Sequence, residues 1–267
     1  MIMKITLLVD KQQSEALQSE FGLSMLLESP ISGCWLFDTG ADTALQFNRK
    51  VLNIPQAALR RVILSHGHYD HTGGLAYLMP DEIYAPLGCA VNHYSYHSSD
   101  DIHHIAMPGN AVKVLYSSPT HYISGCQKIA DDLYLTGSIP RNSFEDAGGR
   151  FFHDSACTVP DCVPEEQALL SSDGVLISGC CHAGIINTME HCRNILPDIK
   201  IHTIVGGLHL RNASEERLQK TADYLRSSTV KNLYIMHCTG ENAIASLQQL
   251  LPDAHVFSPR LGESWYC

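Results

Sequence analysis

The feature that most constrains this chain is the regular return of short apolar runs that stop at turn residues. "KITLLVD" (4–10), "LSMLLES" (23–29), "CWLFDTG" (34–40) and "RRVILS" (60–65) read as strands joined by loops. "GVLISGC" (174–180), "IHTIVGG" (201–207), "KNLYIMHC" (231–238) and "AHVFSP" (254–259) continue the series. Helical patterns fall between them at 43–52, 184–196, 214–228 and 240–251. Ser214 with Arg217 gives no capping box, but Glu215 and Glu216 suit a first helical turn. The early chain is strand-rich and the later chain alternates strand with helix, which predicts a layered α/β architecture. With 267 residues, 45% of them hydrophobic, the chain has material for a sizeable core.

Charge and cysteine usage narrow the function classes. Lys and Arg number 18 against 28 Asp and Glu, a formal net charge of -10, which argues against long nucleic acids and anionic membrane surfaces. Ten cysteines include no Cys-x-x-Cys pair, so neither a zinc ribbon nor a cysteine-ligated iron–sulfur cluster is supported. The opening "MIMKITLLVDKQQSE" lacks the basic and long apolar regions of a signal peptide and alternates like a first strand. No apolar stretch reaches the roughly 18–20 residues of a membrane span. The expectation is a reduced, cytoplasmic protein. Its oligomeric state is not legible.

Directly after "RVILS" comes "SHGHYDHTGGL" (65–75), with three histidines and an aspartate in six positions. An extended segment places His66 and His68 on one side, because side chains alternate with period two. Asp70 and His71 fall where the chain turns, and Gly73 and Gly74 permit a tight turn into the next helix. Imidazole nitrogen with carboxylate oxygen suits zinc foremost, with iron or manganese as alternatives. Four ligand-type residues exceed what one metal takes from one loop, so the pattern predicts two divalent transition-metal ions.

"HGHYDH" resembles the His-x-His-x-Asp-His signature of the metallo-β-lactamase superfamily. "LFDTG" (36–40), "ISGCCHAG" (177–184), "VGGLHL" (205–210) and "MHCTG" (236–240) fit in the expected order over nearly the whole chain. The later motifs, with "SIPRNSFE" (138–145), resemble the dihydropterin-ribofuranosylaminobenzene-phosphate synthase-like branch. The resemblance implies a four-layer αββα sandwich, here one domain over 1–267, with the irregular segment around 139–165 as a lid. It also implies His66, His68, Asp70, His71, His182 and His237 as metal ligands. It further implies a metal-dependent hydrolase or transferase acting on a phosphorylated or diphosphorylated small molecule, in which a dihydropterin diphosphate couples with loss of diphosphate.

The chain departs from the superfamily pattern at two motifs. The Pro-Gly-His turn is replaced by "SPTHYISG" around His121, and the Gly-Asp motif by Gly179-Cys180-Cys181-His182. His182 or Cys180 must stand in for the missing carboxylate. Asp70 and His209 are the expected catalytic residues, His209 as a substrate contact or proton donor beside Gly206 and Gly207. Asp38 is expected to orient a metal-bound histidine. Arg141 and Arg150 are the cations best placed for phosphate. The His- and Tyr-rich stretch 92–104 reads as a surface loop, with ring stacking on a substrate as its functional alternative. Two further readings stay open: a phosphodiesterase, nuclease or other hydrolase of the superfamily, and a non-enzymatic metal-binding sensor.

Overall fold

The computed structural model describes residues 2–146 and 148–267. The chain forms two compact units, one comprising the chain up to Ser124 with Arg150–Asp161 and Arg260–Cys267, the other Gly125–Gly149 and Cys162–Pro259. The segment 139–165 is therefore shared between them, and its residues 150–161 count with the first unit.

The first unit is built on a seven-stranded sheet. Its order is β18 (Ser264–Tyr266), β1 (Lys4–Val9), β2 (Ser24–Ser29), β3 (Gly33–Phe37), β4 (Arg61–Ile63), β5 (Glu82–Pro86) and β8 (Thr120–Ile123). Pairing is antiparallel from β18 to β3 and parallel from β3 to β8. Leu8, Leu26, Leu36, Val62 and Ile83 share one apolar cluster with Ala44 and Leu45 of α1 (Ala44–Val51) and with Ala111 and Leu115 of α3 (Gly109–Ser117). α1 ends on Arg49 and Lys50, whose charge suits a helix C-terminus.

A smaller four-stranded sheet belongs to the same unit. Its order is β12 (Pro160–Asp161), β11 (Phe151–Phe152), β6 (Tyr94–Ser98) and β7 (Asp101–His104). The stretch expected as a surface loop is thus largely an antiparallel hairpin, β6 with β7. His93 at its start is fully buried, because Asp161 supplies its Nδ1 with a carboxylate partner at 2.6 Å.

The second unit carries its own seven-stranded sheet. The order is β17 (His255–Phe257), β16 (Asn232–Ile235), β15 (Thr203–Gly206), β14 (Val175–Ser178), β13 (Leu169–Ser171), β10 (Leu133–Leu135) and β9 (Gln127–Ala130). β14 to β17 are parallel, joined through α4 (Ile185–Ile195), α5 (Glu215–Ser227) and α6 (Glu241–Leu250). Parallel neighbours need such crossovers, which explains the alternation seen in the sequence. Ile185 and Met189 of α4, Leu218 and Leu225 of α5 and Leu247 of α6 pack with Leu176, Ile204 and Leu233 of the sheet. Ser214 caps α5 by accepting the Arg217 amide at 3.2 Å, so the serine half of a capping box is present without its glutamate.

Both large sheets combine with helices as the α/β class requires. Among the described residues no helix is long and apolar enough to cross a membrane.

Glycine at 206 is required twice over. Its φ is +119°, and a Cβ there would lie 2.0 Å from the Ser178 carbonyl oxygen on the neighbouring strand. The pair Gly206-Gly207 thus lets strand ends approach each other. Gly206→Ala is expected to destabilise the protein by roughly 2 kcal/mol or more, whereas Gly109→Ala, with open space around it, is expected to be neutral or slightly stabilising. Urea unfolding midpoints of the two variants check this.

Candidate metal and catalytic site

In the first unit, the chain leaves β4 at Leu64 and Ser65 and enters the four-residue helix α2 (Tyr69–Thr72). His66, His68, Asp70 and His71 are all buried. The His66 ring lies 4.5 Å from that of His68 and 4.3 Å from that of His71, centroid to centroid. Asp70 Oδ2 is 3.5 Å from His71 Nε2. Gly73 and Gly74 serve close packing: a Cβ on either would fall about 2 Å from the carbonyl oxygen of Ala41 or Thr39.

Asp38 organises this loop. It sits just beyond β3 with φ +56°, a left-handed conformation unusual for a residue with a side chain. Its Oδ1 accepts the Ser65 amide and its Oδ2 the Ser65 hydroxyl, each at 2.7 Å. Oδ2 also takes His71 Nδ1 at 2.7 Å. A carboxylate only accepts, so His71 carries its proton on Nδ1 and its lone pair on Nε2. Ser65 Oγ spends its hydrogen on Asp38 and accepts from His66 Nδ1 at 2.9 Å, which fixes the same tautomer in His66. One carboxylate therefore sets two rings with Nε2 as the ligand atom.

In the second unit, three consecutive parallel strands each end in a ligand-type residue. β14 leads to Cys180, Cys181 and His182, β15 to His209, and β16 to His237. Cys181, His209 and His237 hold φ of +62°, +48° and +56°. Such conformations cost energy and survive where surrounding structure over-determines them. The ties are visible: Gly207 N donates to Gly179 O at 2.9 Å, Ser178 Oγ to Gly207 O at 2.9 Å and Leu208 N to Thr239 Oγ1 at 3.0 Å. Cys180, His182 and His209 offer ligand atoms within 4.8 Å of one another, and so do Cys180 and His237. The His182 and His209 rings lie 4.4 Å apart.

The turn carrying His182 is gripped by buried acids. Glu166 accepts the His182 and Ala183 amides, both at 2.7 Å, and burial still pushes its carboxyl up to about 7. Glu145 accepts the Asn187 amide at 3.0 Å in the first turn of α4. Asn187 Oδ1 in turn accepts the amides of Asn142 and Ser143 at 2.9 and 2.8 Å. The motif "SIPRNSFE" is thus stitched to the helix that comes after the Gly-Cys-Cys-His turn.

The remaining sequence candidates separate. Arg141 donates to the carbonyls of Cys162, Val163 (2.9 Å) and Ile139 (3.3 Å), so its guanidinium braces the segment around it. Arg150 is exposed and lies over the Tyr96 ring, 4.3 Å from its centroid. His121 lies on β8, stacked on Tyr84 at 4.6 Å and half exposed. Sequence reasoning missed His93 and Asp161, which gather with His68 inside 4.8 Å. The only signal for them was the density of His, Tyr and Asp in two irregular stretches.

The donor chemistry fits divalent metal ions: buried neutral imidazoles, a carboxylate and a thiol, with tautomers fixed at His66 and His71. Burial, then the neighbouring His93, holds His68 down to about 3 despite the opposing charge of Asp70. An unfolded histidine titrates near 6.5. Below that pH the unfolded chain takes up a proton that folded His68 refuses, so stability falls as pH drops from about 6.5 towards about 3. In metal-free protein this loss is expected to reach on the order of a few kcal/mol and to shrink in His68→Gln. Chemical unfolding at several pH values with chelator present checks it.

The chain is similar to several known proteins. A family model for the metallo-beta-lactamase superfamily matches residues 19–162. Uncharacterized protein MJ0448 of Methanocaldococcus jannaschii is 29% identical over 251 residues, covering 92% of this chain and 94% of the relative. From the same organism, 7,8-dihydropterin-6-methyl-4-(beta-D-ribofuranosyl)-aminobenzene-5'-phosphate synthase is 30% identical over 247 residues, covering 84% of this chain and 83% of that enzyme. The crystal structure of Tm1679, described as a metal-dependent hydrolase of the β-lactamase superfamily, superposes with a TM-score of 0.86 at 27% identity and 98% coverage of each chain. The fold is accordingly the metallo-β-lactamase fold, and the chain belongs to the metallo-β-lactamase superfamily.

Proposed function

We propose that this protein is a metal-dependent enzyme acting on a phosphorylated or diphosphorylated small molecule, as the name of the synthase relative suggests. The observation that carries the reading is the placement of ligand-type residues at successive strand ends: His66, His68, Asp70 and His71 after β4, and His182 and His237 after β14 and β16. Each group would offer ligands to divalent transition-metal ions, two per chain and zinc foremost. Bound there, the ions would supply Lewis-acid polarisation and neutralise charge on a phosphoryl or diphosphate group.

The chain's own residues divide the remaining work. Asp38 keeps the Nε2 lone pairs of His66 and His71 available to a metal. His182, or Cys180 buried beside His237, would take the place of the carboxylate that the Gly-Asp motif would bring. His209 is partly buried at the end of "GGLHL", where it can hold or move a proton at the reacting group. Its fixed left-handed backbone limits how far the ring can wander. Arg150, exposed over Tyr96, is the cation better placed for a substrate phosphate, since Arg141 already serves three backbone carbonyls.

A hydrolytic reaction is the second reading, favoured by the full-length likeness to Tm1679 and its description as a hydrolase. In that case Asp70, on the first turn of α2, would hold the proton released from attacking water.

Protein purified after metal-supplemented expression is expected to retain about one to two transition-metal ions per chain. His68→Ala should lose metal. His209→Ala should keep it while turnover falls by ~10²–10³. Elemental analysis alongside a panel of diphosphate, phosphodiester and lactam substrates makes the measurement. Wild-type protein without metal sinks the reading, and an emptied His209→Ala makes His209 a ligand.

A further inference from the structure

The four-stranded sheet of the first unit converges on His68, one of the proposed ligands. His93 stands immediately before β6, and Asp161 closes β12. The registers Phe151↔Asp161, Phe151↔Ser95 and Phe152↔Tyr94 carry Asp161 across β11 to His93. Both side chains are fully buried, with His93 Nδ1 at 2.6 Å from Asp161 Oδ2. Two backbone bonds through Ile105 fasten His93 to the metal loop: Ile105 N donates to His93 O, and Tyr69 N donates to Ile105 O, each at 2.8 Å. His68 itself forms a β-bridge with Ala106. The His93 ring then stands edge-on to that of His68, at 5.0 Å and 84°, and Phe151 packs on His68 at 5.4 Å.

Chemistry orients the pair. Asp161 accepts, so the proton of neutral His93 lies on Nδ1 and its lone pair on Nε2. Nε2 lies against the turn that carries His68, only 3.0 Å from where a Cβ on Gly67 would sit. His68, His93 and Asp161 have the composition of a metal site and gather within 4.8 Å. However, Asp161 grips the Nδ1 edge of His93, while an ion shared with His68 would need the Nε2 edge. One carboxylate cannot serve both edges of the ring.

We propose that His93 and Asp161 are positioning residues for His68. Asp161 fixes the tautomer and orientation of His93, and the His93 ring, edge-on to His68 opposite Phe151, holds the His68 ring in the orientation it would present to a metal. The buried carboxylate thus acts on His68 through the ring it holds. His153, with Nε2 3.4 Å from the other Asp161 oxygen and a third of its side chain exposed, lies on the outer side of the pair. The proposal rests on His68 being a ligand, as read above.

The test measures zinc affinity of the full chain by competition with a chromophoric chelator, and the electronic spectrum of the cobalt-substituted protein. Asp161→Asn and His93→Phe are expected to weaken zinc binding 10- to 100-fold and to shift the cobalt spectrum, while His153→Ala stays within about twofold. Asp161→Asn keeps the side-chain shape, so it carries the test if His93→Phe does not fold. Wild-type affinity and spectrum in Asp161→Asn, with zinc lost from His68→Ala, would overturn the proposal and leave the ligand reading intact. Undiminished zinc in His68→Ala would instead remove the ligand reading beneath it. Loss of one whole equivalent in Asp161→Asn, with the remaining zinc held at wild-type affinity, would make the cluster a metal site and overturn the positioning role.

Discussion

The carboxylate of Asp38 is the interaction on which the loop from Ser65 to His71 depends. It ties the end of β3 to the end of β4 through both Ser65 contacts, and it fixes His71 directly and His66 by way of Ser65. Without it, two buried imidazoles would have no common reference for tautomer or orientation. Its left-handed backbone is the cost of reaching them, and it is held because Asp38 N donates to Ile63 O at 2.8 Å. The other edge of the loop is fixed from outside, by the small sheet that delivers His93 and Phe151 against His68. Burial holds the His68 ring neutral far below the ordinary histidine range.

The second unit solves the same problem with backbone. Its candidate residues come after parallel strands whose carboxyl ends lie side by side, the usual place for ligands in open α/β sheets. Gly206 and Gly207 admit the close approach of the β14 and β15 ends. Thr239 and Cys238 then bind the β16 turn back to Leu208 and to the Cys180 carbonyl. Glu166 and Glu145 hold the His182 turn and the start of α4, where helix amides would otherwise lack partners. This explains why the segment 138–145, remote in sequence from the Gly-Cys-Cys-His turn, accompanies it: Asn187 accepts two amides from that segment and donates to Ala183 O.

A chain with this architecture has put its specificity where the regular elements stop. The strands and helices are held by interchangeable aliphatic residues, whereas the turns use residues for which substitutes are few: a left-handed Asp, His and Cys, and glycines at which a Cβ would meet a carbonyl oxygen at about 2 Å. Superfamily membership and the fold rest on the whole pattern. Function belongs to the particular groups at a site and not to the fold that carries them, so the name of a relative bears on the substrate less firmly than on the fold.

The sequence by itself determined the α/β class and the loops that carry ligand-type residues. Local rules suffice there: period-two and 3.6-residue patterning marked the parallel strands β14 to β17 and helices α4 to α6, and "SHGHYDH" gathers its ligand-type residues through spacing alone. Elements with weaker amphipathic signal, such as β5, α3 and the β9–β10 pair, went unseen because neighbouring strands and packing, not local pattern, stabilise them. Only the tertiary structure decided that His93 is buried, and that its partner is an aspartate 68 positions away. It also decided that Arg141 braces carbonyls, and that the double glycine answers to a neighbouring strand. Each of these rests on a partner distant in the chain, and the chemistry of a buried polar group is set by the partner it meets.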